Sequence, residues 1–213
     1  METPKEYRTT VELRILLFLT LAALVMSGIA PYDRLTWAME VSWVVIGVPL
    51  LIATRSSFPL TQLLYRLLFA HALILILGGY YTYARVPLGL WFGDLFGLTR
   101  NYYDRLGHLV QGFVPAILVR EILVRRSPLA GSRWLPFVVV SISLAFSAFF
   151  ELIEWASALS LGAEADSYLA TQGDPWDTQA DMFCALIGAI TALATLSRLH
   201  DGNLLRLRAR AVR

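Results

Sequence analysis

The residues of this chain best suited to chemistry fall in three short groups. Asp104-Arg105-Leu106-Gly107-His108 places an acid, a base and an imidazole within five residues. Asp104 and His108 share one face of a helix at i,i+4. Glu151 and Glu154 share a face at i,i+3, and Asp177 and Asp181 at i,i+4. Each group lies in or beside a long apolar run. Lipid penalises such side chains, so they must turn toward one another or toward water, and they are functional candidates for that reason. Imidazole with several carboxylates suits zinc, manganese or iron, and acids contributed by several helices are how metal sites in bundle cores are built. Without a metal the acids repel, and some hold protons at neutral pH. That state suits a proton relay or an acid–base pair. Arg105 is the cation built into the first group, placed to neutralise an acid or to clamp a phosphate or carboxylate.

The elements that position these groups follow from composition. Of 213 residues, 57% are hydrophobic and 16% charged, against about 45–50% and 25% in a soluble domain. Mean hydropathy is +0.59. The chain therefore reads as an integral membrane protein, a single all-α domain over residues 1–213. Six segments approach the ~20 residues that cross a bilayer, at about 13–30, 36–54, 60–83, 102–124, 134–161 and 176–199. They are helices because open strands leave backbone groups unsatisfied in lipid. The first has a basic start and a small-residue exit, as a signal peptide does, but Pro31 suits a protease cleft poorly and the segment is expected to be retained. The lone Cys184 rules out an intrachain disulfide and reads as a small buried hydrophobe.

Counting sides alternately from the N-terminus puts thirteen Lys and Arg on one side and three, Arg34, Arg85 and Arg100, on the other, with Arg66 and Arg105 inside spans. Basic loops stay in the cytoplasm, so both termini are expected there. The outer loops are then 31–35, 84–101 and 162–175, the last carrying Glu164, Asp166 and Asp174. The tail 206–213 is a solvated or headgroup-binding basic end. At 1.5 Å of rise per residue, His108, Glu154 and Asp181 lie roughly 8–10 Å below the outer face, Glu151 roughly 15 Å and His71 roughly 18 Å. Groups from four segments thus meet in the outer half of the membrane.

Other residues read as packing. Glu40 lies away from the motifs and reads as a packing or pairing acid. Trp91, Trp155 and Trp176, with Tyr80, Tyr81, Tyr83, Tyr102 and Tyr103, read as an aromatic belt. Gly78-Gly79 and Gly107/Gly112 read as close helix contacts. The apolar stretch 89–98 is too short to span and reads as an interfacial or re-entrant cap over the cluster. Asp177 or Thr178 can cap the sixth helix, which competes with a ligand role for Asp177.

The motifs GGYYTYARVP (78–87), RNYYDRLGH (100–108), ELIEW (151–155) and GDPWDTQADM (173–182) closely resemble the YjdF family of bacterial inner-membrane proteins. The resemblance covers about residues 60–200. It implies a multi-pass inner-membrane protein in which His71, Asp104, Arg105, His108, Glu151, Glu154, Asp177 and Asp181 are signature positions. The chain is more loosely similar to VanZ-like membrane proteins, through Asp104/His108, Glu151/Glu154 and the run from Asp181 to Gly188-Ala189. It departs from them at Glu154, where Gln is common, and at Ala185, where Asn is expected. That similarity implies a cell-envelope role.

The expected protein is a six-helix bundle with an outward-facing site. Asp104, His108, Glu154, Asp181, His71 and Asp177 are its candidate ligands for a divalent metal, zinc or manganese. Glu151 is its second acid, and Arg105 orients an anionic group. Its expected role is an enzyme acting on a lipid or lipid-linked compound of the envelope. The alternatives are a proton- or cation-coupled transporter component and a structural or regulatory membrane protein. Its partners are the bilayer and such a lipid, with no nucleic acid.

Overall fold

The computed structural model describes residues 4–162 and 170–211. Glu164 and Asp166 of the acidic loop lie outside the described residues. Seven α-helices follow in order: α1 (Pro4–Ile29), α2 (Arg34–Thr54), α3 (Gln62–Tyr81), α4 (Pro87–Phe96), α5 (Tyr103–Arg126), α6 (Trp134–Leu161) and α7 (Asp177–Ala211), with a 3-10 turn at Tyr83–Arg85. The described residues contain no strand. All but α4 are long and apolar enough to cross a membrane, so the six expected spans are present. Large apolar side chains stand exposed all round, Phe18, Val25 and Leu159 each at 69%. In lipid these are the solvated groups, and the driving force for helix association shifts to close packing and hydrogen bonds.

Packing divides the bundle in two. The helices α1, α2 and α3 pack together, as do α5, α6 and α7, and the seam between the halves is α3 against α5. The most enclosed helix is α5, with 44% of its apolar window buried against 11% for α1. Its tightest neighbour is α7. Two glycines explain this approach: a Cβ on Gly112 would overlap the Ala185 carbonyl, and one on Gly188 would overlap the Leu109 carbonyl. The expected close contacts at Gly78 and Gly107 take another form. Both face the Tyr83 ring, which sits between α3 and α5.

Several boundaries and roles differ from expectation. The last span does not end near Leu199. Instead α7 runs on as one 35-residue helix, about 52 Å long, because no proline follows Leu199 and residues 204–211 are good helix formers. Tyr83 and Tyr103 are 5% and 3% exposed and pack edge to face with centroids 5.6 Å apart. They are core rather than belt, whereas Trp91, Trp155 and Trp176 are all more than 60% exposed. Cys184 is half-buried. Within α3, Arg66 is ion-paired to Glu12 of α1 at 2.5 Å.

At the end of the bundle that carries the tail, a second polar cluster joins α3, α5 and α7. The fully buried Glu121 carboxylate accepts from the Thr61 amide at 3.0 Å, the Thr61 hydroxyl at 2.7 Å and Arg125 at 2.8 Å. Arg120 Nη1 lies 2.8 Å from His200 Nδ1. A guanidinium only donates, so Nδ1 accepts, and His200 Nε2–H donates to Glu121 Oε2 at 2.9 Å. Arg120 also donates to Asp201 at 2.7 Å. Glu121→Ala strips this cluster of its shared acceptor and is expected to lower stability by about 3–5 kcal/mol. Gly112→Ala, which wedges α5 from α7, is expected to cost about 1–3 kcal/mol. Thermal unfolding in detergent measures both, and an unchanged midpoint for either would contradict the packing described.

Candidate polar site at the α4 end

The site is assembled where the starts of α5 and α7 meet the end of α6. Asn101 fixes the start of α5. Its side-chain amide donates to the Val86 and Ala84 carbonyls at 3.0 and 3.2 Å, and its Oδ1 accepts from the Tyr103 amide at 3.0 Å. Gln172 from the loop before α7 pairs with the Asn101 backbone in both directions, each bond 2.9 Å. Ala170 and Gln172 adopt φ of 50° and 49°, an unfavourable region for residues other than glycine, and the two-way amide pair holds Gln172 there. Above the site, α4 begins with Pro87 at its first turn and ends on Gly97 in the left-handed conformation. Gly89 and Gly93 of α4 are buried, and Leu88, Trp91, Leu95 and Phe96 are exposed. The stretch expected to be interfacial is therefore a short, largely apolar helix that buries its two glycines and turns its large apolar side chains outward.

Two arginines tie the ends together. Arg100 donates to Asp174 at 3.0 Å and to Asp177 at 2.6 Å. Arg105 donates to the same two carboxylates at 3.0 and 2.7 Å. Arg105 also lies 2.5 Å from Asp181 Oδ1 and 3.7 Å from Asp104 Oδ2. It is thus shared among four acids, hydrogen-bonded to Asp174 and Asp177 and ion-paired with Asp181 and Asp104. Of the two roles the sequence offers Arg105, this is the neutralising one: Nη2 donates to the Asp174 and Asp177 carboxylates and Nη1 to the Asp177 carbonyl. Asp177 does not cap α7 with its side chain, because Oδ1 is taken by both arginines. The Trp176 amide, followed by the two arginines, holds the Asp174 carboxyl below the usual range, so Asp174 is anionic at neutral pH.

Beneath this latch, His108 is 4% exposed and faces acids from three helices. Its Nε2 is 3.7 Å from Asp104 Oδ1 and 3.9 Å from Asp181 Oδ1, and its Nδ1 is 3.6 Å from Glu151 Oε1. Those gaps exceed a hydrogen bond, and both His108 Nδ1 and Glu151 Oε1 are buried without a partner. Asp104, His108 and Asp181 can each offer one donor atom within 4.8 Å of the others. A tetrahedral zinc with ~2.1 Å bonds sets its donors about 3.4 Å apart, so closing this triad on an ion requires its donor atoms to draw together from within 4.8 Å to about that spacing. Phe150 packs edge-on against the His108 ring at 5.8 Å.

The remaining candidates line one cavity of about 590 Å³. His71, Asp104, His108 and Glu154 face it, and most of the rest of its wall is apolar. His71 Nε2 is buried without a partner, yet His71 and Glu154 stand outside the close triad. Glu40, expected to be a packing acid, faces the same cavity and is 3% exposed. Its position, about 9 Å along α2 from the start, matches the depth of His108 and is the signal that places it here. Arg100, placed in a loop by the sequence, precedes Asp104 by one helical turn, the spacing of an ion pair.

Arg105→Gln removes the shared cation from four acids. It is expected to loosen 170–177 from α5, read as faster hydrogen exchange and proteolysis in that loop with the α3–α5 seam unchanged. Equal protection in the variant and the wild type would show that the arginine is not the latch.

Over residues 12–202 the chain matches the family described as "Predicted membrane protein (DUF2238)". It is 54% identical over 183 residues to "Inner membrane protein YjdF" of Escherichia coli (strain K12), covering 86% of this chain and 88% of that protein. No solved structure matches. With six apolar helices and this relationship, the protein is a multi-pass protein of the bacterial inner membrane, and it belongs to the YjdF family of predicted membrane proteins.

Proposed function

We propose that the protein is a membrane-embedded, metal-dependent enzyme acting on a lipid or lipid-linked compound of the cell envelope. One observation carries this reading: a mostly apolar cavity, within the range of small-molecule sites, ends on Glu40, Asp104, His108 and Glu154. A hydrocarbon chain suits the wall, and a polar reacting group suits the end. The thirteen-to-three basic bias directs this end to the periplasmic face. The VanZ-like residue pattern favours an envelope compound.

Within the reading, Asp104, His108 and Asp181 hold the cation. His108 binds through Nε2, leaving Nδ1–H to donate to Glu151, whose carboxylate then fixes the ring as carboxylates behind metal-bound imidazoles do. Glu151 is thereby a positioning residue. A bound divalent ion supplies Lewis acidity and a more acidic water. Glu154 lines the cavity and serves as the proton donor or acceptor at the reacting group. Seven carboxyls (Glu40, Asp104, Glu151, Glu154, Asp174, Asp177 and Asp181) face two arginines (Arg100 and Arg105). That excess of acid favours a cation.

Metal analysis of purified protein tests the proposal. Wild type is expected to carry about one equivalent of zinc or manganese. His108→Ala and Asp181→Asn are each expected to lose at least ten-fold in metal content, and Glu154→Gln to retain metal. Absence of metal from wild type purified without chelator, after zinc and manganese are offered, overturns the metal-dependent reading. A folded His108→Ala with full metal content removes His108 from the ligand set.

A second reading, a structural polar network, is favoured by the arginine latch itself. It predicts that His108→Ala lowers the unfolding midpoint as much as Arg105→Gln does. The enzyme reading predicts a much smaller effect of His108→Ala on stability.

A further inference from the structure

The cavity that ends on His108 is a slot walled by α1, α2, α3, α5 and α6, with its opening between α2 and α6. Ile46 and Leu50 of α2 and Phe146 of α6 line it, yet they are 61%, 60% and 42% exposed, so the slot opens sideways, toward lipid. Near its polar end Trp43 of α2 bridges to α6, with ring centroids 5.3 Å from Phe146 and 6.2 Å from Phe150. Along α2 the lining runs from Glu40 to Arg55, about 22 Å. Along α5 it runs from Asp104 to Leu118, about 21 Å. Half of a ~30 Å hydrocarbon core is about 15 Å, so the slot passes beyond the reach of an acyl chain confined to one leaflet.

We infer that the slot opening between α2 and α6 holds the chain of a single-chain polyisoprenoid lipid, entering sideways from the bilayer, with its polar head among Glu40, Asp104, His108 and Glu154. This rests on the proposed lipid-directed site and specifies its substrate class. The acidic end requires either a neutral head, such as a polyprenol hydroxyl, or a phosphate with the divalent cation between it and the acids. Charge complementarity therefore makes phosphate binding metal-dependent and alcohol binding metal-independent.

Gly47 supplies the test. It lines the slot, and a Cβ built on it meets nothing within 4 Å, so a large side chain there fills the slot without displacing a helix. The probes are a long polyprenyl monophosphate, the polyprenol of equal length and a diacyl phosphatidic acid. Each is titrated into detergent-solubilised full-length protein and read by native mass spectrometry. Wild type is expected to bind both polyprenyl probes at least ten-fold more tightly than phosphatidic acid. Gly47→Phe is expected to weaken both by ten-fold or more, with unfolding midpoint and metal content unchanged, and Gly47→Ala to behave as wild type. Phosphatidic acid binding as tightly as the polyprenyl probes, or undiminished polyprenyl binding in a folded Gly47→Phe, overturns the inference. A chelator is expected to weaken the phosphate alone. If it weakens neither while Gly47→Phe weakens both, the slot stands and the metal reading falls.

Discussion

A carboxylate carried into hydrocarbon must find a cation, a proton or a donor, and Arg105 meets that constraint for four acids at once. It begins on α5, reaches across to Asp174, Asp177 and Asp181, and stays beside Asp104 on its own helix. The chain can therefore place acids at the starts of two neighbouring helices without separating them. The close passage of α5 and α7 at Gly112 and Gly188 depends on the same compensation, since bringing two acid-bearing helices together without Arg105 would set like charges face to face. The arginine and the glycines are parts of one solution: small residues bring the backbones together, and the guanidinium makes the result electrostatically tolerable.

That solution is incomplete one turn deeper, and the incompleteness is where chemistry can happen. The latch satisfies Asp174 and Asp177 fully, yet His108 Nδ1 and Glu151 Oε1 stay buried and unpaired. The second cluster, around Glu121, offers a contrast within the same molecule. There Glu121, Arg120 and His200 all have partners at 3.3 Å or closer, and the cluster behaves as a rivet between helices. Buried polar networks stabilise only when their members are satisfied. The unsatisfied one is the one that borders a cavity.

Composition and charge bias were enough to read six spans, the central place of Asp104 and His108, and the meeting of acids from separate helices. Depth along each helix carried that reading, because a residue's distance from a helix start converts directly into height in the bilayer. What depth could not supply was rotation. Glu40 lies at the right height, but whether α2 turns it toward α5 or away depends on packing at Gly79, where a Cβ would press on Glu40 at 3.1 Å. The Glu121–His200 pair escaped notice for a different reason. Its partners are 79 residues apart and sit among the basic residues at the ends of α5 and α7, where charge looks ordinary. Tyr83 and Tyr103 are indistinguishable from belt tyrosines in sequence, because tyrosines near a helix end look alike whether they face headgroups or glycines.

The continuity of α7 has one more implication. The helix carries Asp181 at one end and His200 at the other, about 28 Å apart along a rod with no proline between them. Its neighbour α5 likewise carries His108 and Glu121. Each cluster is thus a joint between the same two beams. Pro115 interrupts the hydrogen-bond ladder of α5 between its two residues, so α7 is the unbroken beam and α5 the jointed one. An axial displacement of α7 at the Asp181 end would be carried whole to His200, and the Glu121–His200 contact is where it would register.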